Sequence, residues 1–173
     1  MGVKLVTDST SYISEELIHE YDISITSLNV ILQGKSYREV NLDNKYFYEV
    51  MNQSEEIPTS SQPSIDELLS TFKSIVKSGD DVVGVFLSSE MSGTYSSAHL
   101  VKNMVLEEYP DARIEIIDSR TNCMQMGFQV IEGARVVPER QIWSLLAPVD
   151  GIPKVKVAID GNPYDVEYVQ GDG

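Results

Sequence analysis

The residues of this chain best suited to chemistry lie in the run Ser88-Ser89-Glu90-Met91-Ser92-Gly93-Thr94-Tyr95. Five of the seven positions from Ser88 to Thr94 are small or hydroxyl-bearing. Such residues let a backbone approach a ligand closely, and their hydroxyls add donors. The run follows Val82-Val83-Gly84-Val85-Phe86-Leu87, an apolar stretch too short for a comfortable helix and readable as a buried strand. After it, Tyr95, Ala98, Val101 and Val105 recur at helical spacing. The hydroxyl cluster therefore marks a strand-to-helix junction. Ligands of open α/β sheets dock outside the carboxyl ends of strands, and a helix N-terminus suits an anion. Serine and threonine are also ordinary N-caps, and glycine is ordinary turn punctuation. The pattern alone leaves an anion site and a plain cap both open.

Two further strands are predicted to end in the same kind of chemistry. Val3 to Val6 runs into Thr7-Asp8-Ser9-Thr10, and Arg113 to Ile117 runs into Asp118-Ser119. In a parallel sheet these ends, with Ser88 and Ser89, line up along one edge. A polar stretch from Gln53 to Gln62, holding Thr59, Ser60, Ser61 and Gln62, is expected to be a loop folding over that edge. Convergent polar groups above an apolar interior fit a ligand mouth. Asp8 and Asp118 read equally well as site residues and as strand-end caps.

The elements that must position these groups are legible as an alternation. Ser14 caps a helix through Glu20, and Ile23 to Leu32 is β-rich. A turn at Gln33-Gly34-Lys35 leads to a return strand, Ser36 to Val40. Asp43 opens a helix with Phe47, Val50 and Met51 inward. The clearest helix carries Ile65, Leu68, Leu69, Phe72, Ile75 and Val76 as an amphipathic stripe. Ser64 and Glu67 read as its capping box, and Gly79-Asp80 as its end. A last helix is expected from Asn122, with Pro138 stopping it. Alternating strands and helices predict an α/β fold, a mainly parallel sheet flanked by helices, over residues 1–137. Residues 138–173 read as an atypical tail, with a β-hairpin from Val155–Ile159 and Tyr164–Val169 around Asp160-Gly161.

Composition narrows the function. The 173 residues suffice for one domain with a real core, and 42% hydrophobic with 23% charged residues is globular. A formal net charge of −14 opposes nucleic acid and anionic membrane surfaces. No apolar run approaches spanning length, so stable membrane insertion is not expected, and the cytoplasm is the default location. The single cysteine, Cys123, reads as a small buried apolar residue. There is no Walker loop, dinucleotide glycine pattern, nucleophile elbow or metal-ligand spacing. No metal and no cofactor are expected. His19 and His99 read as surface positions on helices, and Glu15-Glu16, Glu55-Glu56 and Glu107-Glu108 as solvated faces.

Taken together, Thr7-Asp8-Ser9-Thr10, Thr59-Ser60-Ser61-Gln62-Pro63-Ser64, the Ser88–Ala98 run and Asp118-Ser119 resemble the DegV family in order and spacing. The resemblance covers residues 3 to about 137, that family's amino-terminal domain. It implies binding of a long-chain fatty acid as ligand, by a carrier that is not itself an enzyme. It also implies a partner fatty acid kinase, which phosphorylates the carried carboxyl group to an acyl phosphate. The family's carboxylate grip, a threonine before Ser-Gln-Pro and the serine of Ser-Gly-Thr, maps to Ser60 and Ser92. Ser60 lacks the family's methyl group but keeps the hydroxyl. The N–H groups of Gly93 and Thr94 are expected to assist. Asp8, Ser9, Thr59, Ser61, Gln62, Ser88, Ser89, Asp118 and Ser119 form the expected supporting pocket. The family's second domain supplies an arginine and a histidine, and residues 138–173 do not resemble it. A missing lid predicts self-association through exposed core. Two other readings stand beside the carrier: a shortened or divergent domain with no ligand, and a phosphoryl- or acyl-transfer enzyme using Asp8 and the serines.

Overall fold

A computed structural model describes residues 2–54 and 56–136 and two short strands, 156–159 and 162–165. The elements run β1 (Val3–Asp8), α1 (Glu15–Glu20), β2 (Ser24–Thr26), β3 (Asn29–Leu32), β4 (Lys35–Arg38), α2 (Asn44–Gln53), β5 (Thr59–Ser61), α3 (Ile65–Lys77), β6 (Asp81–Phe86), α4 (Thr94–Glu108), β7 (Ile114–Asp118) and α5 (Cys123–Val136), followed by β8 (Lys156–Ile159) and β9 (Asn162–Asp165).

Four strands form a parallel sheet in the order β2-β1-β6-β7. Alternation along each strand separates two apolar layers. Val3 and Leu5 of β1, with Val83 and Val85 of β6, pack toward Met126 and Val130 of α5 and Leu17 and Ile18 of α1. Val6, Val82 and Phe86 face the other way, toward Leu68 and Phe72 of α3 and Ala98 and Val101 of α4. Burying each such side chain contributes ~1.5–3 kcal/mol, which fixes both the faces and the register. The chain leaves β1 for one side of the sheet and reaches β6 on the other. The strand order therefore reverses between β1 and β6, the switch point where α/β sheets open a crevice at their carboxyl ends.

The expected β-rich stretch Ile23–Leu32 divides between two sheets. β2 belongs to the parallel sheet, while β3 starts an antiparallel sheet in the order β4-β3-β5. Gln33 and Gly34 join β3 to β4 with φ of 50° and 71°. Positive φ at both central residues is the hairpin turn whose twist matches its strands. The stretch read as a polar loop from Gln53 to Gln62 contains β5, paired to β3 through Ser60 opposite Val30. Thr59, Ser60 and Ser61 are all exposed, so no hydrophobic alternation announced a strand. Its order comes from backbone pairing with β3.

The capping of α3 also differs from expectation. Ser64 Oγ accepts the Glu67 N–H at 3.1 Å, but the Glu67 carboxylate does not return the bond to Ser64. Glu67 Oε1 instead accepts the Ser27 N–H at 3.0 Å and the Arg38 guanidinium at 2.5 Å. One carboxylate thus ties the antiparallel sheet to α3. At the other end of α3, Gly79 has φ of 84°. Its N–H reaches Val76 O at 3.0 Å, and the Asp80 N–H reaches Ile75 O at 3.3 Å, the paired bonds of a Schellman ending.

α5 ends at Val136. β8 and β9 pair antiparallel with Ala158 opposite Pro163. The second strand of the tail hairpin therefore begins at Asn162, two residues before the expected Tyr164. The remaining tail, including Pro138 and Asp160-Gly161, lies outside the described residues, as does Glu55.

Candidate functional site

Asp8 closes β1 at the switch point and has no solvent exposure. One carboxylate oxygen accepts the Thr10 N–H at 3.0 Å and the Thr10 hydroxyl at 2.5 Å. The other accepts the Leu87 N–H, just past β6, at 2.9 Å. Burial pushes the Asp8 carboxyl above its usual range; these three bonds pull it back, and the nearby Glu39 charge adds to the rise. Asp8 is thus a brace across the ends of β1 and β6, and its oxygens are turned into protein. Ser9 braces the next layer: its hydroxyl donates to Glu39 at 2.5 Å and accepts the Leu28 N–H at 3.0 Å.

Asp118 plays the matching part at the end of β7. It accepts the Ser89 hydroxyl at 2.5 Å, the Ser89 N–H at 3.2 Å and the Arg120 N–H at 2.9 Å. Burial works against the charge, but bonds from Ser89 and the Arg120 N–H outweigh it and hold the carboxyl below its usual range. Ser88 and Ser119 are buried in the same junction. The Ser88 hydroxyl accepts the Glu90 N–H at 3.3 Å, and the Ser119 hydroxyl accepts the Thr121 N–H at 3.2 Å. These residues shape the turns into α4 and α5.

Above the brace lies an open cleft of about 740 Å³, within the range of small-ligand pockets. Ser60, Ser61 and Gln62 line it from β5 and its flank; Ser92 and Gly93 line it from the start of α4. Leu28 and Leu87 bring apolar surface to it, and Thr10, Tyr12, Met91, Asn122 and Cys123 complete the lining. Five of the expected site residues are therefore brought together, from β5 and its flank and from the turn before α4. Thr59, Ser88, Ser89, Asp118, Ser119, Asp8, Ser9 and Thr94 do not line the cleft.

The start of α4 is partly committed. Ser92 Oγ accepts the Thr94 N–H at 3.2 Å and shares a hydrogen bond with the Thr94 hydroxyl at 2.9 Å. Of the two amides expected to meet an anion, Thr94's is therefore taken. Gly93 N–H has no acceptor among the described residues. The Ser92 hydroxyl keeps one lone pair or its proton for a ligand, depending on how Thr94 is oriented.

Several residues differ from their sequence reading. Cys123 is exposed, lies in the cleft wall and has φ of 52°, where a buried apolar position was expected. His99 is only half-exposed. Its Nε2 is fully buried without a partner, and its ring stacks edge-on against Tyr95 at 4.6 Å. Burial, with Lys102 nearby, lowers its pKa against the opposing Glu115 charge. Tyr12, Leu28 and Asn122 were missed altogether. Tyr12 sits in the left-handed region at φ 50° with its ring 59% exposed and its hydroxyl donating to Glu39 at 3.1 Å. Tyr12 ends the single turn Ser9–Ser11, its N–H reaching Ser9 O at 3.4 Å, and no sequence signal marks that ending. Among the described residues no group of acidic, histidine and cysteine side chains could hold a metal, and no helix is long and apolar enough to cross a membrane.

A family profile described as "Uncharacterised protein, DegV family" matches residues 2–141. A DegV domain-containing protein of Clostridium perfringens is 46% identical over 80% of this chain and 49% of its own length. One from Clostridium acetobutylicum is 45% identical over 94% of this chain, so past residue 137, and 53% of its own. Among solved structures, a stearic acid-binding protein from Eubacterium ventriosum superposes with a TM-score of 0.74 at 32% identity, covering 80% of this chain and 48% of that one. DegV of Bacillus subtilis, described as a fatty acid binding protein, gives 0.73 at 36%, covering 81% and 49%. The chain spans about half the length of the curated relatives it matches.

Proposed function

This chain belongs to the DegV family, and from that premise we propose that it binds a long-chain fatty acid in the cleft above β1 and β6. Ser60 and Ser92 hold the carboxylate, with the Gly93 N–H as a third donor. The acyl chain lies against Leu28, Leu87 and Met91. The observation that carries this reading is the meeting of two hydroxyls, one from β5 and one from the turn before α4, at one cleft with apolar side chains in its wall. The fatty acids bound by the Eubacterium and Bacillus relatives support it.

Length of ligand matters here. Burial is worth ~0.8 kcal/mol per CH₂ in principle, yet drug-sized ligands recover only ~0.3 kcal/mol per heavy atom. A long chain is needed for useful affinity, and the open cleft covers only part of it. Tyr12 and Met91, 59% and 61% exposed, would be covered by the ligand. Without ligand the same side chains favour self-association, so sedimentation should show oligomers that added fatty acid disperses.

The bound acid is then presented to a partner kinase, a step supported by the family resemblance. The partner transfers the terminal phosphoryl group of a nucleoside triphosphate to a carboxylate oxygen, releasing the diphosphate and leaving an acyl phosphate. Calorimetric titration of the chain with oleate tests the binding. Saturable uptake that Ser60→Ala and Ser92→Ala each weaken supports the site. Absence of uptake by the folded chain would overturn it.

A further inference from the structure

β5 carries Ser60 on a strand of only three residues, all exposed and paired on one side to β3. Such a short edge strand is a poor platform for a binding group, because fraying at its edge lets the side chain wander. A carboxylate grip needs its donors held within about 0.5 Å of the productive geometry by locked neighbours. Gln62 supplies a lock. Its Nε2 donates to Ser97 Oγ at 2.8 Å, and Ser97 is a buried residue in the first turn of α4. Its Oε1 sits over Gly93, where an added Cβ would lie 2.3 Å away. The amide thus occupies the space that the missing side chain of Gly93 leaves. Among the described residues this is the side-chain hydrogen bond that joins the β5 flank to α4.

We propose that Gln62 is a positioning residue that fixes the separation of Ser60 from Ser92 and so selects ligands with a carboxylate head. The inference rests on the fatty-acid reading of the cleft and adds a residue that acts through the grip. It also gives Gly93 a reason beyond its N–H: any side chain there displaces the amide and breaks the bond to Ser97.

The test compares dissociation constants for oleate and for oleyl alcohol, which share a chain and differ at the head. Gln62→Ala and Ser97→Ala should each weaken oleate by roughly tenfold, the scale of one lost hydrogen bond to charge. Oleyl alcohol should change by less than about twofold, because its chain contacts are untouched. The double variant should be no worse than either single one, since the two share one bond. Ser97→Thr, which keeps the hydroxyl, should restore oleate binding. Equal loss for both ligands would mean a merely structural role and overturn the proposal, as would no loss for either. A wild-type chain that takes up neither ligand would sink the lipid reading itself. The strut would then be judged by amide hydrogen exchange at residues 59–61: faster exchange in Gln62→Ala supports it, and unchanged exchange overturns it.

Discussion

Replacing Ser92 by alanine separates binding from the turn that leads into α4, because the one hydroxyl serves both. In the free chain its oxygen accepts the Thr94 N–H at 3.2 Å and pairs with the Thr94 hydroxyl at 2.9 Å. Thr94 has no exposure to solvent, so water cannot replace what is lost. Loss of that turn bond costs ~0.5–1.5 kcal/mol, and an orphaned buried hydroxyl ~1–3 kcal/mol. A sum of roughly 1.5–4.5 kcal/mol is survivable for most domains of ~5–15 kcal/mol and lowers Tm by roughly 3–18 °C at this size. With ligand, a hydrogen bond to a charged carboxylate is also lost, ~1.5–3 kcal/mol, which is roughly a 10- to 100-fold rise in Kd. Thr94→Val is the control: it removes the buried partner but leaves the Ser92 hydroxyl. Its Tm should fall while its Kd stays within about threefold. Thermal melts and oleate titrations on the three proteins give both numbers. A Ser92→Ala protein with lowered Tm and wild-type Kd would contradict the carboxylate role and leave Ser92 as a turn residue alone.

Other consequences follow from single residues. Asp8→Ala strips acceptors from the buried Leu87 N–H and from Thr10, and at ~1–3 kcal/mol per unsatisfied group should shift the urea midpoint strongly downward; an unchanged midpoint would contradict its role as a brace. Gly84→Ala places a Cβ 2.5 Å from the Phe86 ring and 3.1 Å from Ile116, overpacking worth ~1–3 kcal/mol, visible in the same denaturation curves. His99 has a folded pKa below its ordinary value near 6.5, so the unfolded chain binds the proton more readily. Its contribution to stability is therefore present above pH 6.5 and lost as pH falls through that value toward the lower folded pKa. His99→Leu should flatten this slope in melts between pH 7 and pH 5, while a slope unchanged by the substitution would assign it to other groups.

Much of the architecture was legible because burial writes it into sequence. The stripe from Ile65 to Val76 became α3, and the apolar run at Val82 became β6 because both of its faces are covered. The positions of Asp8 and Asp118 at strand ends were equally readable; which way their oxygens turn was not. Both are spent on protein N–H and hydroxyl groups, since a carboxylate short of water takes every donor within reach. β5 was invisible because all its side chains are exposed and its order is carried by backbone bonds to a distant strand. The same holds for Glu67, whose spacing from Ser64 fitted a local box while a guanidinium on β4 and an N–H from the link between β2 and β3 claimed it. Cys123 and Tyr12 line the cleft in left-handed conformations; that of Tyr12 ends the turn Ser9–Ser11, and neither has a sequence signature. Local propensity and periodicity were readable; contacts between elements far apart in sequence were not.

Every binding prediction for Ser60, Ser92 and Gln62 depends on the claim that the cleft above β1 and β6 takes a long-chain fatty acid. Native mass spectrometry of the freshly purified full chain, with organic extraction of whatever it carries, tests that claim most directly. The expected result is a mass increment matching a long-chain fatty acid, lost on extraction and regained on adding oleate. A folded chain that emerges empty and stays empty after oleate is added would contradict it.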